Sequence, residues 1–159
     1  AERVPWSRAR RSPLPKSASV AAMTYFSTSS PGTKMVLAAA RAFVEERLPG
    51  LPWRETPIIA NLYACDEDEF GRLAEYLTAQ DGVAAVEVNI SCPNVKAGGI
   101  LFGQDRTLAA KVTAAVKGRC HGKPVIVKLS PNVTDIADMA RAVADAGARA
   151  PFCLARPIS

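Results

Sequence analysis

The sequence predicts an α/β fold built from parallel (β/α) units. Three observations carry that prediction. Short apolar segments alternate with amphipathic helical ones three times between residues 57 and 147. Each helical segment opens at a residue suited to cap it and closes near a glycine. The strand segments PIIANLY (57–63), AAVEVNI (84–90) and PVIVKL (124–129) are near-continuous apolar runs, which predicts parallel strands covered on both faces. Such units build either an open doubly wound sheet or a closed eight-stranded barrel, and the pattern alone leaves both open.

The elements follow in order. Residues 34–48 place Val36, Ala39, Ala40, Phe43, Val44 and Leu48 on one helical stripe, stopped by Pro49-Gly50. After the first strand, Asp66 is a helix cap with Glu69 as its capping-box partner. Phe70, Leu73, Ala74 and Leu77 form that helix's apolar face, and Gly82 ends the unit. The second strand leads into a long loop, SCPNVKAGGILFGQ. Asp105 then opens a helix with Leu108, Val112, Ala115 and Val116 inward, closed by Gly118. After the third strand, Thr134 is the expected cap, with Asp135 and Asp138 in the first turn, where the helix dipole favours anions. Ile136, Met139, Ala140 and Val143 make the stripe, and Gly147 terminates it. This divides the chain into a basic, Ser/Pro-rich segment over 1–32, expected to be disordered, a (β/α) region over 33–148, and an irregular tail over 149–159.

Composition narrows the function classes. The chain has 159 residues, 48% of them hydrophobic, and a formal net charge of +5. That charge is concentrated in the first 16 residues, where Arg3, Arg8, Arg10, Arg11 and Lys16 face only Glu2. The rest is near neutral, so the body carries no nucleic-acid footprint. The basic head itself fits an unstructured tail, a targeting segment or a nucleic-acid arm. Pro5, Pro13 and Pro15 interrupt any amphipathic helix there. No apolar run approaches the roughly 20 residues of a membrane span. The four cysteines, Cys65, Cys92, Cys120 and Cys153, form no CxxC pair, and their wide spacing suits a reducing cytoplasm. No GxGxxG or Walker A sequence follows any strand.

Polar residues gather instead at the strand C-termini: Asn61, then Asn89 with Cys92 and Asn94, then Lys128 with Asn132. In both candidate architectures ligands sit at that edge. Asn89 offers amide donors and acceptors, suited to a planar heterocycle with imide or carboxylate edges. Cys92 is either a loop thiol that serves as base or nucleophile, or a small buried hydrophobe. Lys128, inside an apolar strand, either holds negative charge on a ligand or snorkels to solvent. His121, the one histidine, falls at the opposite edge and is expected to be solvated surface. Cys65 and Cys120 are expected to be packing or surface residues, and Asp66–Glu69 a solvated helix start.

The segments VEVNISCPNVKAGGILFGQD (86–105) and PVIVKLSPNVTDI (124–136) resemble dihydroorotate dehydrogenase, a flavoenzyme family of pyrimidine synthesis. The NVKAGG loop is similar to the NAD-linked 1B class, and the resemblance spans roughly residues 43–148. It implies a TIM-type (β/α)₈ barrel with FMN at the C-terminal mouth. Only about three units are legible where a barrel takes roughly 250 residues, so an incomplete barrel with divergent flanks is expected. The resemblance further implies Cys92 as the catalytic base that removes the C5 proton of dihydroorotate. Asn89 and Asn94 would bind substrate, and Asn61, Asn89 and Lys128 would bind FMN. The 1B enzymes pair with a subunit carrying FAD and an iron–sulfur cluster. Exposed strand edges predict an oligomer. No metal site is expected. Two other readings stand beside the enzyme: a non-catalytic barrel remnant that needs a partner segment to bind flavin, and a nucleic-acid binder acting through residues 1–16.

Overall fold

The computed structural model describes residues 33–91 and 102–153, so the basic segment over 1–32 lies outside the described residues. Helix α1 (Thr33–Ala42) loosens into a π turn at Phe43–Arg47 and a tight turn at Leu48–Gly50. Pro49 and Gly50 end the helical pattern there, as expected. Four strands follow: β1 (Ile58–Leu62), β2 (Val83–Asn89), β3 (Val125–Leu129) and β4 (Ala150–Cys153). Between them run α2 (Glu67–Thr78), α3 (Arg106–Arg119) and α4 (Ile136–Asp145). All neighbouring pairs are parallel, in the order β1-β2-β3-β4.

Strand β4 corrects one expectation. The segment from 149 is not wholly irregular: Ala150–Cys153 pairs with β3, led in by the Arg149 N–H donating to the Val125 carbonyl at 2.7 Å. It passes for a tail because it is short and carries Pro151. A proline lacks the ladder N–H but is tolerated on a strand with one neighbour, and β4 lies at the edge of the described sheet.

Coverage of the sheet is the second correction. Burial along β1 and β3 alternates strictly, with every second residue only half-buried. Ile58, Ala60, Leu62, Val86, Val88, Val125, Val127 and Leu129 enter one core with Phe70, Leu73 and Leu77 of α2, Val112 and Val116 of α3, and Met139 and Val143 of α4. The opposite face carries Ile59, Asn61, Glu87, Ile126 and Lys128, all half-buried. Among the described residues the helices therefore cover one face only. Sequential strand order with helices on one face is the winding of a barrel wall, whereas a doubly wound sheet reverses order and is covered on both sides. The described residues thus form a four-strand arc of parallel (β/α) units, where a closed barrel takes eight strands. The apolar runs mislead because Ile59 and Ile126 are apolar on the inner face as well.

A bulge sets the phase of this alternation. Ile58 pairs with Val83 but Ile59 with Ala85, so Ala84 is an extra residue in β2. Val83 and Val86 both reach the helical core as a result.

Helix starts obey their caps. Asp66 accepts from the Glu69 N–H at 2.8 Å, and Glu69 reaches back to the Cys65 N–H at 2.7 Å. Glu69 is 1% exposed, so the capping carboxylate is part of the packed structure rather than a solvated turn. Asp105 accepts from Thr107 and Leu108 at 2.7 and 3.0 Å. For α4 the cap is Asp135, one residue beyond the expected Thr134; its carboxylate accepts from Ala137 and Asp138, both at 2.9 Å. A carboxylate is the stronger acceptor next to the positive helix terminus. At its far end α4 closes in a Schellman motif: Ala148 donates to Val143 and Gly147 to Ala144, each at 3.0 Å, with Gly147 at φ +105°.

Three outcomes are expected. Gly147→Ala places a side chain in left-handed backbone and drives its Cβ to 2.8 Å from Lys117 Cγ. It should cost about 1–2 kcal/mol, read as a lowered Tm in thermal circular dichroism. Asp105→Ala should cost about 1 kcal/mol in the same assay. The Asp138 N–H, ahead of the Ala137 N–H and the Arg141 guanidinium, holds the Asp135 carboxyl below its ordinary value. Its contribution is therefore present above the unfolded-state value and lost as pH falls through the lowered folded one. Asp135→Asn should flatten the acid limb of a stability-against-pH curve.

Candidate functional site

Because all four strands run the same way, their C-terminal ends share one rim. The two-residue period then decides which side chains meet on the inner face. Asn61 is next to last in β1 and pairs with Glu87; Asn89 ends β2 and pairs with Lys128. Three residues singled out from the sequence, Asn61, Asn89 and Lys128, thus come to one face at one edge. Glu87 joins them and was not anticipated. The signal for it was in VEVNI: Glu87 lies two residues before Asn89, so the strand period sends both to the same side.

The two amides are held in opposite senses. Asn61 Nδ2 donates to Glu87 Oε1 at 2.5 Å. One of its donors is thereby engaged, and its Oδ1 faces away from the carboxylate. Asn89 is 9% exposed, and its Oδ1 accepts from Ser91 Oγ at 2.9 Å and from the Ser91 N–H at 3.3 Å. Its Nδ2 is the group left to present. Neighbouring strands therefore offer an acceptor and a donor on one face, beside a half-buried ammonium. Among the described residues no hydrogen bond or ion pair engages Lys128. Such a set suits a flat polar ring bearing both donors and acceptors with an anionic edge.

Cys92 and Asn94 lie outside the described residues. The points where the chain leaves and regains the described fold are nevertheless fixed. It departs at Ser91, beside Asn89. It returns with Phe102 edge-on to Phe70, ring centroids 5.9 Å apart and 88° between planes. Gly103 then packs against the Ile90 carbonyl and lies 3.2 Å, measured from an added Cβ, from Ser130 Cβ. A side chain at 103 would strike that carbonyl, so only glycine permits the chain to come back to the place it left. Both ends of the 92–101 segment are consequently tied to the rim between β2 and β3.

Of the remaining candidates, His121 and Cys120 lie before β3 at the opposite edge, whereas Cys65 and Asn132 follow the C-terminal ends of β1 and β3. His121 is exposed in the turn before β3, at φ +47°. Cys120 is buried against the Lys117 and Lys123 carbonyls at 3.3 and 3.2 Å. Cys65 is half-buried; burial first, then the charges of Glu69 and Asp66, push its thiol up. It therefore stays protonated near neutral pH and is a poor base. Asn132 donates its N–H to Ser130 Oγ at 3.2 Å, a turn contact. No cluster of His, Cys, Asp and Glu among the described residues could hold a metal ion, and none of their helices is long and apolar enough to cross a membrane.

A family model described as dihydroorotate dehydrogenase matches residues 16–151. It takes in half of the basic segment as well as the first part of β4. A dihydroorotate dehydrogenase B (NAD(+)) catalytic subunit from Solidesulfovibrio magneticus is 66% identical over 112 residues, which are 70% of this chain and 37% of the relative. The protein of the same name from Maridesulfovibrio salexigens is 57% identical over 108 residues, 68% of this chain and 35% of the relative. The chain thus spans about a third of the length of these curated relatives. A solved Schiff-base-forming fructose-1,6-bisphosphate aldolase, 12% identical, overlaps 76% of this chain and 43% of its own at a TM-score of 0.43, too loose to bear on fold or function. With a match over most of its length and relatives at such identity, the chain belongs to the dihydroorotate dehydrogenase family.

Proposed function

We propose that this chain serves the oxidation of dihydroorotate to orotate in pyrimidine synthesis, with FMN as its cofactor. The observation that supports this reading most is the meeting of Asn61, Glu87, Asn89 and Lys128 on one face of the strand C-terminal rim. The donor set fits FMN: two amides of opposite polarity match a ring edged with carbonyls and ring N–H, and an ammonium matches its anionic side. When bound, FMN supplies the two-electron acceptor for the hydride that leaves C6 of dihydroorotate. The chain's own residues do the rest. Cys92, as thiolate, takes the proton from C5, so that the C5–C6 double bond forms as both hydrogens depart. Asn89 and Asn94 hold the pyrimidine, and Asn61 and Asn89 hold the flavin. Lys128 places its charge where negative charge accumulates. The glycine-dependent approach of Gly103 to Ile90 brings two described residues that flank Cys92 in sequence close together, which supports a role for Cys92 in this chemistry.

The relatives' name, catalytic subunit of an NAD(+)-linked enzyme, supports a second subunit that carries electrons onward, in the 1B class an FAD and iron–sulfur protein. Cytoplasmic location and assembly into an oligomer belong to the same proposal. One observation favours a second reading, a non-catalytic barrel remnant. The inner face of the described arc is only half-buried, so a ring seated there would be gripped from one side. On that reading flavin binds only when a further barrel segment completes the site.

Purified chain titrated with FMN should quench flavin fluorescence and, with dihydroorotate, release orotate. Cys92→Ala should lower turnover about 10²–10⁴-fold while leaving FMN binding unchanged. Lys128→Met should weaken FMN binding. A chain that ignores FMN until the rest of a relative's barrel is supplied would establish the second reading; no FMN binding in either setting would end both.

A further inference from the structure

We propose that Glu87 is a positioning residue: it fixes the side-chain amide of Asn61 so that Oδ1 is offered to an N–H or O–H donor on a nitrogen heteroaromatic ligand at the rim. Toward the flavin this rests on the proposed function, but the fixing of the amide stands on the fold alone.

The argument begins with what a free asparagine would do. A half-exposed amide can turn over and present either its oxygen or its nitrogen, so it discriminates poorly between ring edges. Glu87 removes that freedom. A carboxylate only accepts, so it can engage Asn61 through Nδ2 alone, and that is the bond present. The register makes it unavoidable: Asn61 and Glu87 are direct neighbours on adjacent parallel strands, both on the inner face. Charged acceptors also hold their donors more firmly than neutral ones.

A simple staple between β1 and β2 is a weaker account. Those strands are already joined by a ladder from Ile58↔Val83 to Leu62↔Val88. On its own face Glu87 has apolar Ala85 two residues before it and apolar Ile126 across the sheet. A carboxylate there bears a desolvation cost that a staple does not require. Lys128, two residues along from Ile126, is the cation on the same face, and Asn89 follows Glu87 by two. The ordered result is a row of fixed polarity: Asn61 presents an acceptor, while Asn89, its Oδ1 engaged by Ser91, presents a donor.

The test reads the amide directly. In ¹⁵N-labelled chain without ligand, one Asn61 Nδ2 proton should resonate downfield and exchange slowly with solvent. Glu87→Ala should return it to the free-amide position, while Glu87→Gln, which keeps a carbonyl acceptor, should retain most of the shift. With FMN added, Glu87→Ala should weaken binding about tenfold, the measure of one misaligned hydrogen bond. The same change in an Asn61→Ala background should weaken it no further. An Asn61 resonance indifferent to Glu87→Ala overturns the proposal, as does an equal loss of FMN affinity in both backgrounds. Should Glu87→Ala not fold, Glu87→Gln decides: a resonance at the free-amide position in that variant also overturns it. Absence of FMN binding by the unmodified chain would count against the proposed function, while the ligand-free resonance would still decide the role of Glu87.

Discussion

A strand can send only every second side chain to the layer that covers it, and this constraint organises the molecule. Val86 and Val88, Val125 and Val127, and Ile58, Ala60 and Leu62 all fall on the helical side. The residues between them fall on the other, whatever their chemistry. Parallel pairing then aligns the strand ends, so residues distant in sequence become neighbours: Asn61 with Glu87, and Asn89 with Lys128. Burial of apolar area against α2, α3 and α4 supplies the stability, and the polar rim follows from the same alternation.

The two ends of the sheet are built differently. At the N-terminal end the Lys123 ammonium donates to the Gln80 and Val83 carbonyls, both at 2.6 Å, tying the close of α2 to the start of β2. In the helical layer Asp68 receives Arg72, one turn along α2, at 2.7 Å and Arg119 of α3 at 2.9 Å. These pairs are half-exposed and contribute little singly, but the Arg119 pair links α2 to α3 where both also share the apolar core. At the opposite end Asn61, Glu87, Asn89 and Lys128 are ranged on one face. Barrel enzymes divide their two edges in this way, stability at the strand N-termini and chemistry at the C-termini, and the proposed site follows that division.

Much of this was legible in the sequence. Strand and helix positions followed from apolar period, and the starts of α2 and α3 from Asp66 and Asp105. The α4 cap was displaced by one residue because Thr134 and Asp135 are both competent, and the choice depends on which carboxylate or hydroxyl oxygen reaches the N–H groups. One-sided coverage of the sheet was hidden by Ile59 and Ile126, whose chemistry does not say whether a helix or an open interior faces them. Strand β4 was hidden by Pro151. At the rim, Asn61, Asn89 and Lys128 were visible as polar interruptions of apolar runs, whereas Glu87 was masked by the valines on either side. Its partnership with Asn61 depends on the pairing register between β1 and β2, which no local pattern records. The roles of Cys92 and Asn94 rest on resemblance, since both fall outside the described residues.

The bulge at Ala84 bears on how the chain tolerates changes of length. Uninterrupted pairing from Ile58↔Val83 would bring Leu62 opposite Glu87 and push a carboxylate among the helices. The extra residue absorbs that offset beneath the rim. Losing it would merely restore a regular ladder with every downstream partner unchanged. A deletion or insertion at Val86 would instead turn Glu87 and Asn89 inside out, so loss of a residue is harmless at the foot of β2 and ruinous near its tip.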